Sequence, residues 1–248
     1  IIEGAKSDSL VGCSLHLCSF VVRWTQDVFQ SQVLIYSLCD TSHVALYPWQ
    51  RAGFECTSID IAPCVLNDGI NHVQSNILDI HSLPEAQFVL AFPPCTHLAN
   101  SGSRWWQEKG ANALEQALFI VHHCIKLINM TPGVLENPKG RLSTHYRKPD
   151  LMVHPHWFDA LTTDNNSYTK ETCLWLFNGA RAPCSHPSME PVNNRYILDN
   201  RHNNAARSKT PSGMANAIFL ANFDYGHWPF FYLCSETSLH SSRFFQPL

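Results

Sequence analysis

The chain has 248 residues, 45% hydrophobic and 15% charged, with a formal net charge of −3 when its 14 histidines are neutral. That composition excludes a disordered chain and lacks the bulk charge of a nucleic-acid binder, leaving room for a local basic groove; the length suits one large α/β domain or two small ones. Ten cysteines could suggest a disulfide scaffold, but the chain is too long for that class and has no CxxC pair. Most of them sit in apolar runs, as Cys39, Cys124 and Cys173 do, where the thiol acts as a small hydrophobe. The expected compartment is a reducing cytoplasm.

The sequence starts at Ile1 without a methionine and is expected to be a fragment or a processed chain. Residues 1–30 read as an N-terminal extension. Within it LVGCSLHLCSFVV (10–22) is too short to cross a bilayer and reads as a buried helix or strand, so no membrane partner is expected. QVLIYSLCD (32–40) is an apolar run ending in Asp40, a buried strand feeding a loop. PWQRAGF (48–54) fits a helix closed by Gly53. ECTSIDI (55–61) is a second strand with Asp60 near its end, and FVLAF (88–92) is a third. Residues 111–130 place Leu114, Ala117, Leu118, Val121, Ile125 and Ile128 on one helical stripe. GVLENP (133–138) and ETCLWLF (171–177) are further strands. The stretch from Ala180 to Arg207 reads as loop, and PSGMANAIFLANF (211–223) as a closing helix started near Pro211 or Ser212.

Short apolar strands alternating with helices predict an α/β fold, a mostly parallel, doubly wound sheet with helices on both faces. Such sheets bind ligands beyond the carboxyl ends of their strands. Asp40, Asp60, Cys95 and Glu136 all fall at such ends. An acid after the second strand suits the hydroxyls of a ribose, although aspartates also cap helices. Cys95 follows Pro93–Pro94, which fix a sharp strand exit and bury poorly inside a sheet, so an exposed thiol is favoured over a core one. Glu136, at a strand edge before Asn137–Pro138, can pair with a ring nitrogen and its neighbouring amino group; a surface or capping acid is the alternative.

PPC followed by ENP, with an acid-ended second strand upstream, resembles the cytosine-5 methyltransferases, and more narrowly their compact, phage-associated DNA members. The likeness runs from about residue 33 to 223 through SLCD…PWQRAGFECTSIDI, FPPCTHLANSGSRWW, LENPKGRLSTHYRKPDLMVHPHWF, TKETCLWL and ARSKTPSGMANAIFLANF. It implies a methyltransferase domain over residues 31–225 and a C-terminal tail over 226–248. It implies S-adenosylmethionine as cofactor and DNA as partner, with the base flipped from the stack. Cys95 then matches the nucleophile on cytosine carbon 6, and Glu136 the acid that holds the ring. Arg207 matches a base- or phosphate-contacting arginine, with Arg201 competing for that place. Asp40 and Asp60 flank the cofactor, and Asn216 lies near its end. Thr96 to Trp106 would be a closing loop, with Trp105 and Trp106 fitting either that loop or the core.

Two departures from that pattern matter. His43 stands where a glycine is expected in the loop after the first strand, so it is expected to obstruct or reshape the cofactor pocket. Only about thirty residues separate LWLF from ARSKTP, too few for a separate target-recognition domain. The same chemistry on RNA or a free nucleotide therefore stays open, as does a catalytically silent homologue. His154 and His156 alone make a poor metal pair, and no metal is expected.

Overall fold

Along the central strands, successive apolar residues point to opposite faces, so each strand serves two hydrophobic layers. The computed structural model describes residues 33–185, 190, 203 and 208–223. The expected N-terminal extension to residue 30, the tail from 226, Arg201 and Arg207 lie outside the described residues. In chain order the elements are β1 (Leu34–Leu38), α1 (Tyr47–Arg51), β2 (Glu55–Asp60), β3 (Asn71–Gln74), β4 (Ala86–Ala91), α2 (Trp106–Ile128), β5 (Gly133–Pro138), α3 (Leu142–His145), β6 (Leu151–Val153), β7 (Thr172–Phe177) and α4 (Ser212–Asn222). Short 3₁₀ turns cover Ile77–Asp79, Asn100–Trp105 and Pro155–Leu161.

The strands form one seven-stranded sheet in the order β3-β2-β1-β4-β5-β7-β6. The first five strands are parallel; β7 is antiparallel to both β5 and β6. This is the doubly wound, Rossmann-like architecture expected from the alternation of elements. One layer packs α1, α4 and the Pro155–Leu161 turn on Ile35, Phe88, Leu90, Val134 and Leu174. The other packs α2 on Tyr36, Leu38, Val89, Ala91, Leu135 and Trp175. Trp49 anchors the first layer, stacked on Phe88 at 4.9 Å and edge-on to Phe219 at 5.0 Å. Truncating such a tryptophan to alanine costs about 3–5 kcal/mol.

Local rules account for the boundaries. Pro48 occupies the first turn of α1, and Gly53 follows that helix at φ +90, the left-handed conformation that closes helices. The long helix is interrupted at Gly110 (φ 70, ψ 179), then runs on with Leu114, Ala117, Val121, Cys124, Leu127 and Ile128 buried. Gly133 opens β5 where a Cβ would stand 2.6 Å from the Val89 carbonyl oxygen.

Register places the site. Leu38 pairs with Ile59 on one side and with Ala91 on the other, and Ala91 pairs with Leu135. The positions beyond these four residues therefore lie along one edge of the sheet. They carry Asp40, Asp60, Cys95 and Glu136. The order runs outward from β1 to β3 in one direction and from β4 onward in the other, so this edge contains the point where the winding reverses.

Candidate functional site

A cleft of about 1360 Å³ lies along this edge and is lined by all four of those residues. The turn after β1 is shaped by Asp40. Ser37 Oγ donates to Asp40 Oδ2 at 2.8 Å, and the Ser42 amide and hydroxyl donate to Oδ1 at 2.8 and 2.7 Å. Both oxygens thus hold the turn, and Asp40 is buried. Asp60 is half-buried at the end of β2. Its Oδ1 accepts from the Ala62 amide at 2.8 Å, and among the described residues no hydrogen bond reaches Oδ2. That oxygen is the acceptor this edge can offer to a ligand hydroxyl.

His43 is not among the residues lining the cleft, so, contrary to expectation, its ring does not obstruct it. Its backbone has φ 56, the left-handed region that glycine favours. The side chain is wholly buried and turned the other way, with Nδ1 2.9 Å from Asp68 Oδ2 and Nε2 2.8 Å from Ser58 Oγ. Burial acts to raise the Asp68 carboxyl, but hydrogen bonds from His43, the Ile70 amide and Tyr47 outweigh it and hold the group below the usual carboxylate range. Burial and the same Asp68 contact push the Tyr47 phenol up to about 12.

Cys95 is half-buried in the loop that leaves β4 through Pro93 and Pro94. The Leu98 and Ala99 amides both donate to its carbonyl oxygen at 2.9 Å, which fixes the loop in a turn. Glu136, on the adjacent strand, is buried, and its Oε1 has no hydrogen-bond partner. Burial raises its pKa, and Lys170 opposes this only in part. In its protonated form this carboxyl can both donate and accept. It therefore matches a ring nitrogen beside an amino group.

Two residues not assigned from sequence hold these loops together. The Asn137 side-chain amide donates to the Pro93 carbonyl at 2.8 Å, and Asn137 Oδ1 is a second buried acceptor atom without a partner. At Gly140 a Cβ would run into the Leu98 carbonyl oxygen, so only glycine permits this approach. The contact is laced by Arg141 N to Leu98 O (2.8 Å) and Asn100 N to Lys139 O (3.0 Å). Both roles depend on residues some forty positions away. The adjacency of Asn137 to Glu136 and of Gly140 to Lys139 was the only local signal.

Other assignments fall differently. Asn216 is not among the cleft-lining residues; its Nδ2 donates to Leu161 O at 2.7 Å and its Oδ1 accepts from Arg51 at 3.3 Å. Trp105 is 44% exposed beneath Arg104, and Trp106 is half-buried against Arg141, so neither is a core residue. The cleft is lined by Arg104, Lys109, Lys139, Lys170 and Lys209 and by the acids Asp40, Asp60, Glu136 and Glu171, with Lys139 paired to Glu171 at 2.6 Å. Among the described residues no helix is long and apolar enough to cross a membrane.

No family model matches the chain, and no curated protein matches it. Loose structural likenesses exist among solved methyltransferases. Magnesium protoporphyrin IX methyltransferase from Synechocystis PCC 6803, crystallised with bound SAM, is 12% identical, with a TM-score of 0.35 over 70% of this chain and 86% of that one. An RNA methyltransferase from Salinibacter ruber in complex with S-adenosyl-L-homocysteine is 13% identical, with a TM-score of 0.32 over 77% of this chain and 98% of that one. The 1,6-didemethyltoxoflavin-N1-methyltransferase from Burkholderia thailandensis, with bound 1,6-didemethyltoxoflavin and S-adenosylhomocysteine, is 10% identical, with a TM-score of 0.28 over 56% of this chain and 68% of that one.

Proposed function

We propose that this chain is an S-adenosylmethionine-dependent methyltransferase acting on carbon 5 of cytosine in DNA. The observation that carries the reading is the pairing of a half-buried thiol, Cys95, with a buried carboxyl whose Oε1 is unpartnered, Glu136, at neighbouring strand ends of one cleft. Asp60 fits the ribose of the cofactor, because it presents Oδ2 at the carboxyl end of β2 beside the winding reversal. The bound cofactor supplies an electrophilic methyl group.

Cys95 Sγ, as thiolate, adds to carbon 6 of the cytosine. The carbon 5–carbon 6 π electrons move toward carbon 5 and the ring, making carbon 5 an enamine-like nucleophile. Glu136 donates a proton toward the ring nitrogen and accepts from the exocyclic amine, so the charge that develops on the ring is held as it forms. Carbon 5 takes the methyl group, with S-adenosylhomocysteine as the leaving group; loss of the carbon 5 proton to water restores the double bond and expels the Cys95 thiolate. The basic residues lining the cleft suit a phosphate backbone, and a duplex must surrender the base from its stack to reach Glu136.

The test is methyl transfer from labelled S-adenosylmethionine to duplex DNA, single-stranded DNA, RNA and free cytidine nucleotides, with the product base identified. Carbon 5 methylation of DNA is the expected result. Carbon 5 methylation confined to RNA or nucleotide keeps the chemistry and changes the substrate. Methylation of a ring nitrogen or the amino group would overturn the roles given to Cys95 and Glu136.

A further inference from the structure

Behind the cleft wall, three side chains converge that methyl transfer does not use. His43 follows β1, Cys64 lies in the loop after β2, and His72 is in β3. Each brings one ligand atom within 4.8 Å of the other two. The imidazole rings are 5.9 Å apart.

Hydrogen bonding fixes which ring nitrogens are bare. His43 Nδ1 faces the Asp68 carboxylate at 2.9 Å, and a carboxylate only accepts, so Nδ1 carries the proton. His72 Nε2 faces the Ala62 carbonyl oxygen at 3.1 Å, which also only accepts, so Nε2 carries the proton. The neutral rings therefore aim two lone pairs, His43 Nε2 and His72 Nδ1, at one atom, Ser58 Oγ, from 2.8 and 2.7 Å. A serine hydroxyl has one proton and can serve only one of them. Four links run from Asp68 to Ala62, and two neutral imidazoles plus one hydroxyl supply three protons. A positive species at the point of convergence resolves the conflict. A proton would suffice for the histidines alone; Cys64 Sγ, which donates to the Thr41 carbonyl oxygen at 3.5 Å and accepts from the Leu66 amide at 3.5 Å, adds a third donor atom beside them. Two imidazoles and a thiol are a donor set suited to zinc.

We propose that His43, Cys64 and His72 bind a zinc ion, with Ser58 Oγ or a water as the fourth ligand. Bond lengths of about 2.0–2.3 Å in a tetrahedral site place ligand atoms about 3.3–3.7 Å apart. The ligand atoms lie within 4.8 Å of one another, so binding an ion draws them closer and requires Ser58 Oγ, on which both imidazoles now converge, to coordinate or give way. Asp68 on His43 and the Ala62 carbonyl on His72 are the acceptors that orient metal-bound imidazoles. Pro63, Cys64, Val65 and Leu66 line the cleft just beyond Asp60. The ion ties that wall to β3 and to the turn after β1, a structural role that needs no methyl transfer. It replaces the expectation of a metal-free chain, which weighed only His154 and His156.

The full chain, stripped with a chelator, is titrated with Co²⁺ and then Zn²⁺. One equivalent of Co²⁺ with tetrahedral visible bands and a thiolate charge-transfer band is expected, displaced by Zn²⁺. Cys64→Ser should remove the charge-transfer band. His72→Ala should weaken Zn²⁺ binding by about tenfold or more, and Asp68→Asn by about 10–100-fold. Cys64 and His72 are only half-buried, and circular dichroism confirms that their variants stay folded. Absence of stoichiometric uptake by the folded chain overturns the proposal, as does uptake unchanged by both Cys64→Ser and His72→Ala. So does a His72 ring that carries protons on both nitrogens, by ¹⁵N NMR, at saturating Zn²⁺. None of these readouts depends on methyl transfer, so either proposal can fail without the other.

Discussion

The Asn137 side-chain amide donates to the Pro93 carbonyl oxygen at 2.8 Å and so fastens the end of β5 to the loop leaving β4. Glu136 precedes the donor by one residue, and Cys95 follows the acceptor by two. The bond therefore helps set the spacing between the two groups that the proposed reaction brings to one base. Asn137→Ala leaves a buried carbonyl unsatisfied and should cost about 1–3 kcal/mol of stability. Methyl transfer should fall by about tenfold or more, as misplacement of reacting groups does, with S-adenosylmethionine affinity unchanged. Calorimetry and turnover, both on folded variant, separate the effects. Full activity in a destabilised variant would make Asn137 a purely structural residue.

Asp60→Ala tests the cofactor assignment. Loss of charge-assisted bonds to the ribose should weaken S-adenosylmethionine binding by about 1–3 kcal/mol. Asp60 is half-buried and makes one local bond, to Ala62, so the fold should survive. Unchanged affinity by calorimetry sinks the assignment.

How much of this was legible in sequence depends on where each residue finds its partners. The central strands were legible because they are buried on both faces and read as continuous apolar runs. β3 was not: Asn71–Gln74 is polar and mostly exposed at the sheet edge, and among the described residues its only strand partner is β2. β6, three residues long, offers no period to read. Cys95 and Glu136 were legible because prolines mark their strand ends. Asn137 and Gly140 were not, since their roles are contacts with Pro93 and Leu98 across the sheet. At His43 the sequence signals neither the positive φ nor the partners of the ring. A non-glycine residue took the left-handed conformation, and Asp68 with Ser58 drew the ring away from the cleft.

His43→Gly follows from that correction. Glycine relieves about 1 kcal/mol of backbone strain at φ 56. It also removes two buried hydrogen-bond partners, from Asp68 and Ser58, worth about 1–3 kcal/mol each. The net expectation is a lower melting temperature, with S-adenosylmethionine binding unchanged or weaker. Tighter binding would mean that the ring does obstruct the cofactor.

Glu136→Gln separates chemistry from stability through pH. Burial raises the folded carboxyl above its ordinary value of 4.5. Between those two values the folded chain holds more protons than the unfolded one, so stability falls as pH rises through that window. Glutamine has no such loss. The variant's melting temperature should match the parent's near about pH 4 and exceed it by about pH 8, while methyl transfer drops by about a hundredfold or more. A lower melting temperature at every pH, with activity kept, would make Glu136 a structural acid.

If Cys95 is the nucleophile, as proposed, a cytosine with fluorine at carbon 5 can trap it. Fluorine cannot leave as a proton does, so the thioether to carbon 6 persists after methyl transfer. Several other thiols are poorly placed to compete. Burial, followed by the Glu55 charge, pushes Cys56 up to about 12; burial, followed by the Glu136 and Glu171 charges, pushes Cys173 up to about 11. Cys39 is raised by a hydrogen bond with Cys124 and then by burial. These groups stay protonated at neutral pH and are weak nucleophiles. Of the ten cysteines, peptide mapping should find the modified nucleotide on Cys95 alone. Cys95→Ser should abolish the adduct while cofactor binding persists, because a serine hydroxyl is scarcely ionised at neutral pH. An adduct on another cysteine would move the nucleophile. Binding of both cofactor and nucleic acid with no adduct on any substrate would show a catalytically silent relative.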